Sequence, residues 1–216
     1  MASEVDICNL ALSHLGDEAT VASIDPPEGS PQAGYCARFY PAARDALLEM
    51  HAWGFAMRRV QLALLPSHWS AWQFAYARPS DTLKLLAVLP PDAPDDYDLA
   101  PLGALGGLSS LRGPQPYSAE VDAGGRSVIY TDQPDAVLRY TALVRDTTKF
   151  SPLFVMALSW HLASLLAGPM LKGDVGAAEG KRCAAMMQQY LSQAITSDTN
   201  QRRVAPSAAA PWIAGR

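Results

Sequence analysis

The chain has 216 residues, 49% of them hydrophobic and 18% charged, with a formal net charge of −4. That composition belongs to a folded globular protein with one sizeable core, or a core plus an insertion, and excludes a chain too polar to collapse. An acidic balance also argues against a dedicated nucleic-acid binder, which would carry a basic stripe.

Charge is unevenly spread. Residues 1–65 hold eight acids and four bases, residues 66–144 nine and five, and residues 145–216 four and eight. An acidic front and a basic back suit head-to-tail packing of copies, which gives rings where the rotation closes. They equally suit contacts between the two halves of one fold. The three cysteines, Cys8, Cys36 and Cys183, are far apart and fall on apolar helical stripes. They read as buried thiols, with no zinc spacing and no disulfide framework. Glu4 and Asp6 stand where a signal peptide would be basic, and synthesis in a reducing cytoplasm is the expectation.

The first helix opens on Ser3 and Asp6, a capping-box pair with Asp in place of Glu or Gln. Ile7, Leu10, Ala11, His14 and Leu15 follow at helical spacing, and Gly16 closes the helix. After a Pro-containing loop, Ser30-Pro31 supplies the N-cap and first position of a second helix, with a stripe of Cys36, Phe39, Tyr40, Ala43, Leu47 and Met50. Gly54 breaks that pattern.

The period then changes to two. Trp72, Phe74 and Tyr76 alternate, as do Leu83, Leu85, Ala87 and Leu89; the Pro- and Gly-rich stretch between Pro79 and Pro116 is otherwise loop. Tyr117–Asp122 and Ser127–Thr131 flank Ala123-Gly124-Gly125-Arg126 as a hairpin, and Ala136–Val144 is a strand rich in Val, Leu, Tyr and Thr. A small, mostly antiparallel sheet of four to six strands is expected.

Ser151-Pro152 opens a third helix that is apolar on every face through Leu166 and should be central; Gly168-Pro169 should end or kink it. Leu153–Leu171 is long enough to cross a membrane, but Ser159, His161, Ser164, Gly168 and Pro169 interrupt it, so a buried helix is the expectation. A fourth helix, capped by Asp174, carries Val175, Cys183, Met187, Tyr190, Leu191 and Ala194 on its inner stripe. The expected architecture is α+β: a helical domain from residues 1–65 and 145–197, an inserted β-rich domain at 66–144, and a flexible Pro/Ala arm at 198–216.

Nothing in the sequence has the pattern of a catalytic site. Asp92, Asp95, Asp96 and Asp98 are the strongest acidic group, but lack the Gly and terminal Glu of a calcium loop. They leave a hydrolase of cell-surface glycan as one alternative reading, since such chemistry needs two carboxylates, with a tail-associated binding module as the other. His14, His51, His68 and His161 include no i, i+4 pair, and no Gly-x-Ser-x-Gly elbow is present. Gly103, Gly106 and Gly107 lack the Lys-Ser/Thr of a phosphate loop. Trp53, Trp69 and Trp72, with Phe55, Phe74 and Tyr76, read as core because few basic residues interleave them. No metal or cofactor is expected. In the arm, Arg202, Arg203, Trp212 and Arg216 are residue types that anchor interfaces.

Ile7-Cys8-Asn9-Leu10-Ala11-Leu12 with Leu15-Gly16 resembles the opening of phage head–tail adaptor proteins, in particular the tail tubular A, or gatekeeper-like, adaptors of short-tailed phages. Ala42-Ala43-Arg44-Asp45-Ala46-Leu47-Leu48-Glu49 followed by Trp53-Gly54-Phe55-Ala56 is similar to their second helix and its aromatic exit. Ile129-Tyr130-Thr131, the strand to Tyr140, Asp146, Phe150, the helix Leu153–Leu166 and the helix Ala177–Ala194 extend the likeness over most of the chain except Pro90–Gly113. The resemblance implies a virion structural protein without enzymatic duty. It implies a ring, usually of twelve copies, between the portal protein and the tail nozzle protein, with fibres at the periphery, DNA passing through the lumen without specific binding, and no membrane. It also implies that the C-terminal arm contacts the portal; Arg202, Arg203, Trp212 and Arg216 are the residues expected to do so.

Overall fold

A computed structural model describes residues 2–18, 20–66, 71–93 and 113–201. The fold is α+β. It divides into two units, one built from residues 1–56 and 143–201, the other comprising residues 57–142.

The first unit holds α1 (Glu4–His14), α2 (Pro31–Met50), α3 (Pro152–Leu171) and α4 (Gly173–Asn200). Local chemistry sets the starts of the first three. Ser3 and Asp6 form a reciprocal capping box. Ser30 and Ser151 each accept an N–H from the first turn, with Pro at the first helical position. Pro41 lies inside α2 but on its exposed side, where its missing N–H costs least packing. A single 3₁₀ turn, Thr147–Lys149, is capped by Asp146 and leads into α3.

The apolar helix α3 is central, as expected: α1, α2 and α4 all pack on it, while α1 and α2 touch each other little. Half of its most apolar stretch is buried within the chain, and it is long and apolar enough to cross a membrane. Gly168-Pro169 does not end it. The helix runs on to Leu171, and the break falls at Lys172, whose φ of 55° and ψ of 165° lie in a region that favours glycine. The expected Asp174 cap is therefore not used; α4 begins at Gly173 with no side-chain cap. Small residues set the α3–α4 distance. A Cβ on Gly176 would stand 2.8 Å from the Ala167 carbonyl oxygen, and one on Gly180 3.4 Å from that of Ser164. Cys183, Met187 and Ala194 complete the buried stripe of α4.

Among its described residues, the second unit has seven strands in two antiparallel sheets. One pairs β1 (Met57–Gln61), β7 (Val137–Ala142) and β4 (Thr82–Leu89) in the order β1-β7-β4. The other orders β2 (Leu64–Leu65), β3 (Phe74–Ala77), β6 (Ser127–Thr131) and β5 (Tyr117–Val121) as β2-β3-β6-β5. This replaces the one sheet expected, because β7 pairs with strands on either side of it and not with β6, its neighbour in sequence. Both sheets face one core: Leu138, Tyr140, Ala142 and Val88 from the first meet Tyr76 and Ile129 from the second. The β unit starts at Met57, earlier in the chain than the expected break at residue 66.

Candidate functional site

The residues singled out for the arm, Arg202, Arg203, Trp212 and Arg216, lie outside the described residues, as do Asp95, Asp96, Asp98, His68, Trp69, Gly103, Gly106 and Gly107. The structure does describe the point from which the arm departs. Near the end of α4, the Asp198 carboxylate accepts the Gly54 N–H at 3.1 Å from each oxygen, and lies 3.3 Å from His51 Nε2. Gly54 and His51 belong to the turn that leaves α2. One acid thus ties the last turn of α4 to the exit of α2 and fixes where residues after 201 begin. Trp53, between the two partners, is fully buried. Its indole N–H donates to the Leu47 carbonyl at 2.9 Å, and its ring packs edge-on to Phe154. Phe55 and Phe150 extend the same cluster. No local pattern around Asp198 announces this role, because its partners are 144 and 147 positions away.

Asn9, within the motif that carries the resemblance, has a definite task. Its amide donates to the Val21 carbonyl at 3.0 Å and accepts the Val21 N–H at 2.8 Å. That double bond gives the backbone of Val21, itself buried, the two partners a neighbouring strand would supply. Ile7 and Cys8, which precede it, are fully buried. Arg44 is also buried; it bonds Asp45 at 2.8 Å and reaches Glu4 at 3.7 Å, linking α2 to the start of α1.

Among the described residues, Ser159 and His14 meet through their side chains. Ser159 Oγ lies 3.0 Å from His14 Nε2 and 2.9 Å from the Met156 carbonyl, so that carbonyl competes with the ring for the hydroxyl proton. A nucleophilic serine gives its proton to the ring. Ser159 is fully buried. His14 stacks on Trp160 at 3.6 Å, and Arg182 lies over the same indole while donating to the His14 carbonyl. Burial, helped by Arg182, pushes the His14 pKa down to about 4. Burial likewise lowers that of His161. Cys8 shares a hydrogen bond with Cys36 and is buried; both effects raise its pKa, which makes it a poor nucleophile.

Carboxylates in the β unit are engaged structurally. Asp122 accepts the N–H groups of Gly124 and Arg126 and the Arg126 guanidinium, closing the β5–β6 turn, and these bonds hold its carboxyl below the usual range. Asp81 pairs with Arg58 and accepts the Tyr140 hydroxyl at 3.0 Å. A trough of about 430 Å³ on the four-stranded sheet is floored by Ala75 and Val128 and rimmed by Glu120, Asp122 and Arg126. The lowered Asp122 is the opposite of what a general acid requires. Among the described residues, no group of three His, Cys, Asp or Glu side chains is placed to hold a metal ion. The aromatic stretch divides between the units: Trp53 and Phe55 pack in the helical core, Phe74 and Tyr76 in the β core. No family model matches the chain, and no curated protein matches it.

Proposed function

We propose that this protein is a virion structural protein, a head–tail adaptor that assembles as a ring between a portal and a tail nozzle, with DNA passing through the lumen. The observation that carries the reading is the tie at Asp198, which gives the C-terminal segment a fixed root on a rigid helical unit. A segment that docks on a partner gains affinity when its point of departure is held, because less freedom is lost on docking. The resemblance supplies the partner, and Arg202, Arg203, Trp212 and Arg216 are the proposed anchors on the portal. The wiring of Ser159 and His14, the lowered Asp122 and the structural use of Asp81 support a role without catalysis.

The test is the light-scattering mass of the purified chain, alone and mixed with portal rings from the same source. A ring-sized mass or stoichiometric capture by the portal is expected. A monomer that ignores the portal overturns the reading. Truncation after Gln201 should abolish capture; a truncated chain that still joins the portal refutes the arm's part.

A further inference from the structure

We infer that the exposed face of α4 docks, antiparallel, on the exposed face of α2 of a second copy, a head-to-tail contact between unlike surfaces. The inference deepens the ring reading and rests on it for closure into a ring; the pairing of faces stands on the helices themselves.

Among the described residues α4 packs chiefly on α3, with Arg182 and Asp198 reaching His14 and the exit of α2, and one long side of this 28-residue helix stays exposed. That side is exposed at Lys181, Ala185, Gln188, Gln189, Ser192, Gln193 and Thr196. Residues 183–197 contain no Asp, Glu, Lys or Arg. A helix face meant for water normally carries charge, whereas the cores of protein interfaces are depleted of it.

α2 shows the complement. Its exposed stripe is Pro31, Gly34, Arg38, Pro41, Ala42 and Glu49. Gly34 is the point that the chain itself does not explain. Glycine is a poor helix former, its φ here is not positive, and a Cβ at this position would meet nothing within 4 Å. Small residues at Gly34, Pro41 and Ala42 allow another helix to approach closely.

Charge and length align the two faces in one direction. On α2 the small stripe precedes the acid Glu49; on α4 the base Lys181 precedes the uncharged stripe. Laid antiparallel, Gly34 meets Thr196, Arg38 meets Ser192, Ala42 meets Gln188 and Glu49 meets Lys181. Gly34–Glu49 and Lys181–Thr196 each span about 22 Å of helix, so all four pairs fall in register together. Arg38, the one charge set within the small stripe, finds hydroxyl and amide oxygens. Because the two faces differ, each copy keeps one of each available and the contact propagates.

The test is disulfide trapping with Ala42→Cys and Gln188→Cys, oxidised in air with copper phenanthroline so that two thiols lose two protons and two electrons to oxygen. The native cysteines are buried and stay out of the reaction. A mixture of the two single variants should give a dimer, and the double variant a ladder of multimers, with either single variant alone giving neither. Single variants that cross-link with themselves as readily, or a double variant monomeric both alone and on portal rings, overturn the inference. Portal capture without a ladder leaves the adaptor reading standing and refutes this contact; a ladder without capture does the opposite. Gly34→Gln separates folding from assembly, since it should raise the thermal midpoint of the monomer while weakening association about tenfold or more. Glu49→Lys should weaken association, and Lys181→Glu in the same chain should restore it; a swap without rescue counts against the pairing.

Discussion

Replacing Gly176 by Ala tests how the α3–α4 seam is built. The new Cβ would lie 2.8 Å from the Ala167 carbonyl oxygen and 3.4 Å from Gly168 Cα. Both neighbours are backbone, so no side chain can swing aside; to reach the 3.4 Å of an ordinary contact the helices must separate by roughly 0.6 Å. Over-packing of this kind costs about 1–3 kcal/mol. Alanine's better helix propensity returns up to about 1 kcal/mol. The net loss is about 1–2 kcal/mol, a fall of about 2–8 °C in the midpoint of helical unfolding for a chain of this size. Gly180→Ala is the internal control. Its Cβ would meet the Ser164 carbonyl at 3.4 Å and Ala167 Cβ at 3.7 Å, both ordinary contacts. It should therefore be neutral or stabilising by up to about 1 kcal/mol. Thermal unfolding followed by circular dichroism at the helical band measures both. A Gly176→Ala chain as stable as the parent refutes the seam geometry, and equal losses from both changes refute the contrast between them.

Three further outcomes follow from the same unit. Lys172→Gly should stabilise by about 1 kcal/mol, because glycine accepts the backbone that Lys172 holds at positive φ; a lower thermal midpoint would contradict this. Asn9→Ala should cost about 1–3 kcal/mol by stranding the buried Val21 N–H and carbonyl, and hydrogen exchange at Val21 should accelerate. His14 has its pKa lowered from 6.5 to about 4, so the folded state resists protonation. The stability it preserves is complete above pH 6.5 and is lost as pH falls toward 4. His14→Gln should flatten part of the acid limb of a stability–pH curve, with the slope due to His161 remaining; an unchanged limb would show that His14 titrates normally.

The starts of the first three helices were legible because they are local. Ser3 with Asp6, Ser30-Pro31 and Ser151-Pro152 each satisfy backbone donors within three residues. The β5–β6 hairpin was legible for the same reason, its turn closed by Asp122 and Arg126 four positions apart. The strand β1 was not. Arg58, Arg59, Val60 and Gln61 are all exposed, so no period-2 pattern marks them. They form a strand because β7 offers them a ladder. Division into two sheets was hidden for a related reason, since the partners of β7 are 48 or more positions away. Gly168-Pro169 does not stop α3, which runs on to Leu171, because packing against three helices outweighs one lost hydrogen bond. At the candidate site, Asn9 was visible as part of a motif, but its task needed Val21, twelve positions on. Asp198 carried no signal at all.

The helical unit is assembled from segments that a complete β unit separates, and this dictates an order of synthesis. α1 and α2 emerge first but hold little of each other; the surface they bury is supplied by α3. Translation must advance from Ala56 to Ala194, the last buried residue of α4, before the unit can close. At about 5–20 residues per second that interval lasts roughly 7–28 s. During it, the apolar sides of two amphipathic helices stay uncovered beside a β unit that needs only its own contiguous residues to fold. The nascent chain therefore carries its stickiest surface for longest at the end made first, and a chaperone that holds Ile7, Leu12, Tyr40 and Leu47 would be serving the ribosome-bound protein rather than the finished one.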